Sequence, residues 1–152
     1  MFDDRGRSLF TVAGTASALL AALHVVVIVA GPPAYRFFGA PEFATLAEAG
    51  SMAPAVLTGA FALVFAIWSV YAFAGARLMP RPPLVRLGLV LIAGVYILRG
   101  LSAIPEAIFL LRTPDAFPGR FLVFSLISLA VGLFHAFGVR QAWRRLSPRF
   151  RP

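Results

Sequence analysis

Arg99 and Glu106 carry opposite charges seven positions apart inside a long apolar run, Leu87 to Leu111. Seven residues are close to two turns of helix, so both side chains fall on one helix face. An ionised group at bilayer depth costs about 2.5–3.5 kcal/mol on insertion scales and is a functional candidate by default. A guanidinium there suits an anionic solute, a lipid headgroup or an ion path. A carboxylate there suits proton carriage or cation binding, or simple neutralisation of the arginine. Tyr96, three residues before Arg99, adds a ring with a polar tip.

His24 and His135 lie in two other apolar runs. At 1.5 Å per helical residue, Arg99 falls near the midplane of its run and Glu106 about 10 Å toward the outer face. His24 falls about 5 Å above the midplane and His135 about 7 Å below it. Axial ligands of one haem approach within about 4 Å of each other through the iron, so a separation of about 12 Å in depth argues against haem. Structural metal sites ask for four ligands, and too few donors lie nearby. No cofactor and no metal are expected. Both histidines read as hydrogen-bonded packing residues, with titration near neutral pH as the functional alternative. The binding candidates are therefore Arg99, Glu106, His24, Tyr96 and His135.

Side chains of helices lean toward the amino end. Glu106 is accordingly expected to lean inward toward the level of His24, and Arg99 toward the level of His135. Pro105 lacks an N–H and leaves the carbonyl of Leu101 without its usual helical partner. Catalytic signatures are missing: the chain has no nucleophile elbow, no Gly-rich phosphate loop and no helical His-Glu metal motif.

These residues need a membrane to hold them. The chain has 152 residues, 60% hydrophobic and 13% charged, more apolar surface than a water-soluble domain of this size can hide. Four apolar runs, about 9–30, 53–75, 87–111 and 121–139, are each long enough to cross a hydrocarbon core of about 30 Å. They imply a single all-α domain over 1–152, an up-down bundle joined by short connections. Span 1 is too long for a cleaved signal core and contains His24, so it reads as a true span.

There is no cysteine, which excludes disulfide, thiolate and thiol-nucleophile chemistry. There is no lysine, so all 14 basic residues are arginine, a pattern consistent with a GC-rich bacterial genome. Ten of these flank one side: Arg5, Arg7, Arg77, Arg81, Arg86, Arg140, Arg144, Arg145, Arg149 and Arg151. Arg36, Arg112 and Arg120 fall on the other, diluted by Glu42, Glu48 and Asp115. The positive-inside rule then puts both termini in the cytoplasm of a bacterial cell, with the chain in its inner membrane. The net charge of +8 needs no nucleic acid to explain it. The basic tail, 140–152, reads as an anchor on anionic lipids.

In the first outer connection, Gly31-Pro32-Pro33 ends span 1, and Tyr35, Phe37 and Phe38 form an aromatic cluster. Pro41 starts a short interfacial helix ended by Gly50, with Phe43, Leu46 and Ala47 on one face. Spacings of three and four give buried stripes in the spans. These are Gly14-Ser17-Ala21-His24-Ile28, Thr58-Phe61-Phe65-Trp68-Ala72, Ile92-Tyr96-Arg99-Ala103-Glu106 and Ser125-Ser128-Gly132-His135-Val139. A short echo links Ala72-Phe73-Ala74-Gly75-Ala76-Arg77 with Ala136-Phe137-Gly138-Val139-Arg140, allowing one gap.

The functional expectation is a polar-centred bundle that binds or passes a small solute, proton or lipid headgroup, as a homo-oligomer or beside a partner membrane protein. An accessory subunit whose charges only fix packing is the first alternative. A lipid-modifying enzyme using His24 and Glu106 as acid and base is the second.

Overall fold

A computed structural model describes residues 2–113 and 117–146. Asp115, Arg149 and Arg151 lie outside the described residues. Among the described residues seven helices follow one another: α1 (Phe2–Ala30), α2 (Pro32–Phe37), α3 (Pro41–Glu48), α4 (Ala53–Gly75), α5 (Val85–Leu101), α6 (Ala103–Arg112) and α7 (Arg120–Ala142). No strand occurs among the described residues. Four stretches are long and apolar enough to cross a membrane: Asp4–Ala30, Ala53–Gly75, Val85–Arg112 and Arg120–Ala142. The chain is a multi-pass, all-helical membrane protein on that ground.

The third stretch is α5 and α6 joined through Ser102, where the regular ladder is interrupted. The cause is one turn further on. Pro105 cannot donate to the carbonyl of Leu101, and its ring crowds the preceding turn. Ser102 N–H closes instead on Arg99 O at 3.3 Å, a tighter step than the α-helical one.

The chain forms two compact units, residues 1–14 with 70–152, and residues 15–69. In the first, α5 packs along α7. Their crossing is close because both helices place glycine there. A Cβ on Gly100 would stand 2.6 Å from the backbone of Leu129, and one on Gly132 would stand 2.8 Å from Ile97 N. Any side chain at either position would push the helices apart. Phe10, fully buried, is the centre of a cluster with Ala72, Ala74, Val85, Leu89 and Val139. Its ring lies against Gly75 and Gly138, the two glycines aligned in the sequence echo.

In the second unit, α2 and α3 form a small hairpin packed through Tyr35, Ala44 and Phe43. The Tyr35 and Phe43 rings meet edge-on at 5.8 Å. Thr58 Oγ1 donates to Tyr35 Oη at 3.4 Å. The packed face of α3 is rotated from the expected one: Ala44 is fully buried while Leu46 is exposed. A small residue at the contact lets α2 approach, which a leucine would prevent. The α2 segment itself was expected only as a chain break with an aromatic cluster. Pro32 and Pro33 instead stand at the start of a helix, where a missing N–H costs nothing.

The stripe on α4 shifts in the same way. Pro54, Thr58, Ala62, Ser69 and Ala72 are buried, whereas Phe61 is exposed. Small residues occupy the contacts and the large ring turns outward.

Candidate functional site

α5 presents Arg99 midway between Val85 and Arg112, the ends of the third membrane-length stretch. Its guanidinium Nη1 donates to Ser125 Oγ on α7. The same nitrogen stands 3.5 Å from Glu106 Oε1 on α6. A well-formed guanidinium–carboxylate bond is about 2.7–2.9 Å long, so this ion pair is loose. The Gly100–Gly132 crossing and the break at Ser102 together set the geometry. The crossing brings Ser125 within reach of α5, and the break re-aims the turn that carries Glu106.

The covering of the two charges is unequal. The Glu106 side chain is 15% exposed, the Arg99 side chain 46%. Glu106 Oε2 is buried with no hydrogen-bond partner among the described residues. Arg99 has five N–H donors in principle, and the Ser125 and Glu106 contacts both fall on Nη1. Nearly half of its surface is left uncovered by protein, midway along a stretch long enough to cross a membrane. Such a group can take an anion with two oxygens in its fork, with the Ser125 hydroxyl as a neighbouring donor or acceptor.

Arg99 extends toward Ser125 and Glu106, on the carboxyl-terminal side of its own Cα. The expected lean toward the level of His135 is therefore corrected. The Cα–Cβ bond tilts toward the amino end, but an arginine is long enough to turn back to the nearest acceptors. Glu106 does lean inward, toward Arg99.

Tyr96 and His135 are brought together away from the charged pair. Their rings stack at 5.6 Å with 24° between planes, and both residues are buried. His135 Nδ1 lies 3.0 Å from Val131 O, and its Nε2 is buried with no partner among the described residues. His24 belongs to the other unit. Its Nδ1 lies 2.7 Å from Leu20 O, and its ring tilts against Phe65 at 4.9 Å. Both histidines thus use the carbonyl one turn back, the usual way for a ring N–H to be satisfied inside an apolar helix.

Ser125 is the member of the site that the sequence reading left out. It was placed on a buried stripe but given no role. The signal for it was its register: in antiparallel packing with glycines at 100 and 132, position 125 falls near the turn after Arg99. Among the described residues no group of three or more His, Asp or Glu is arranged to hold a metal ion. Comparison with known proteins gives no match: no family model, no curated protein and no solved structure aligns with the chain.

Proposed function

We propose that the chain is a bacterial inner-membrane protein that binds a small anionic group at Arg99, and passes it or holds it within the bilayer. The bound group is the carboxylate or phosphate of a solute or of a lipid headgroup. In this reading the four spans run up and down with both termini in the cytoplasm, the orientation that the ten flanking arginines favour. The α2–α3 hairpin lies in the outer interface, where Phe37 and Leu46 meet headgroups and the Arg36–Glu48 pair meets water. The protein works as a homo-oligomer or beside a partner membrane protein, with anionic lipids against its basic side.

The observation that carries the proposal is the condition of Arg99: mid-span, 46% uncovered, held by a hydroxyl and by a loose carboxylate. A charge kept only for packing would be expected to close tightly on its counter-ion, because an incompletely paired ion in a low-dielectric setting is costly. The same exposure favours a second reading, an accessory subunit in which a partner's carboxylate covers Arg99.

Acetate is the probe. Purified protein is heated in neutral detergent with acetate or chloride at equal ionic strength. Acetate should raise the melting temperature of the wild type, as a ligand of the native state does. It should leave Arg99→Leu/Glu106→Leu, which keeps the fold and loses both charges, unmoved. Equal melting temperatures of the wild type in the two salts would remove the anion-binding reading and favour the accessory one.

A further inference from the structure

A second basic feature lies at the far end of α7 and plays no part in the Arg99 site. α7 continues as helical turns past Ala142, with Leu146 N–H on Ala142 O at 2.9 Å. Arg140 and Arg144 are therefore one turn apart on the same side. Together with Gln141, Trp143 and Arg145 they line an open hollow of about 740 Å³, whose apolar wall is Ala136 and Val139.

The hollow has fixed walls. The Arg86 guanidinium sits 3.5 Å from the centre of the Trp143 ring, a cation–π contact that holds the indole in place. Arg145 Nη2 donates to Gly75 O at 3.1 Å and so ties the end of α4 to this corner. Arg140 and Arg144 are exposed, and no carboxylate among the described residues pairs with either. No acidic residue follows Asp115 in the sequence. Asp4 is the carboxylate of the adjoining hollow, shared through Gln141, where it lies with Arg5 and Ser8.

Resting on the anionic-lipid contact of the basic side proposed above, we propose that this hollow is a binding site for the phosphate of an anionic phospholipid. Arg140 and Arg144 grip the phosphate oxygens as paired guanidinium forks. The Trp143 ring sits at headgroup level, where indoles are stabilised at membrane–water boundaries. Half-buried Ala136 and the exposed Trp143 ring leave a shallow apolar track beside the arginines for the start of an acyl chain. That track is why a lipid, and not a free phosphate ion, is the occupant.

The test reads Trp143 directly. The chain has two tryptophans, so Trp68→Phe leaves Trp143 as the sole indole emitter. In that background the full chain, in neutral detergent, is titrated with short-chain phosphatidylglycerol, short-chain phosphatidylcholine and inorganic phosphate. Phosphatidylglycerol should change the emission saturably, and the other two should not. Arg140→Gln or Arg144→Gln should each weaken the response by about tenfold or more, and Arg144→Lys by less, since charge is kept while the fork is lost. Melting temperatures of the variants separate lost binding from lost fold. Equal responses to the two lipids would overturn the role of the arginines. An equal response to inorganic phosphate would overturn the lipid as occupant. An unchanged phosphatidylglycerol response in a folded Arg140→Gln/Arg144→Gln variant would overturn the site itself.

Discussion

Among the described residues, two arginine–glutamate pairs have opposite character. Arg36 Nη2 lies 2.7 Å from both oxygens of Glu48, and the two side chains are 50% and 48% exposed. Arg99 lies 3.5 Å from one oxygen of Glu106, with 46% and 15% exposed. The pair on the α2–α3 hairpin closes tightly; the pair midway along the third membrane-length stretch stays open. Where charges are solvated, closing costs little and gains little, so the Arg36–Glu48 contact is a strap across the α2–α3 hairpin. In the reading proposed above the mid-span pair lies away from water, where an open geometry is expensive, and its looseness fits a group held for another partner.

The contrast can be broken by mutation, most strongly at mid-span. Glu106→Leu leaves Arg99 without a counter-ion and should lower unfolding stability in detergent by about 3 kcal/mol, the low end for a broken buried pair because Arg99 is half uncovered. Arg99→Leu/Glu106→Leu should restore most of that loss. A Glu106→Leu protein as stable as the wild type would show that Glu106 is merely interfacial. Gly100→Val comes next. Its side chain meets the Leu129 backbone, so α5 and α7 must separate at a cost of about 1–3 kcal/mol, and acetate binding at Arg99 should weaken with it. Full acetate binding in Gly100→Val would detach the site from the crossing. Arg36→Gln should be the mildest, shifting stability by less than about 1 kcal/mol and leaving acetate binding untouched. A larger loss would erase the distinction between the two pairs.

Hydropathy alone located the four membrane-length helices, because a helical run of about 20 apolar residues matches the thickness of a hydrocarbon core. The missing donor of Pro105 was also legible, but the third run was read as one continuous span and its break at Ser102 was not. Spacing placed Arg99 and Glu106 on one face, and they meet. What stayed hidden depends on how helices approach one another. Ser125 joins Arg99 only through the α5–α7 register, which Gly100 and Gly132 set and which no single-helix pattern reveals. The stripe on α4 was drawn through Phe61 and Trp68 by spacings of three and four, yet close packing chose Ala62 and Ser69. The same preference for small contact residues turned Ala44 inward on α3 and Leu46 outward. The half-open state of Arg99 was out of reach too, since exposure is decided by neighbouring helices and not by the residue.

The most direct test of an anion-accepting Arg99 uses the absence of native cysteine. Ser102→Cys puts one thiol at the helix break, a turn from Arg99, in proteoliposomes of neutral lipid. Labelling rates are compared for an anionic methanethiosulfonate (sulfonatoethyl) and a cationic one (trimethylammonium-ethyl). Arg99 should draw the anionic reagent, reversing the usual order and making it about tenfold faster, as a focused positive field does. Adding Arg99→Gln should abolish that preference. Labelling by neither reagent, or the same ratio of rates with and without Arg99, would contradict the account.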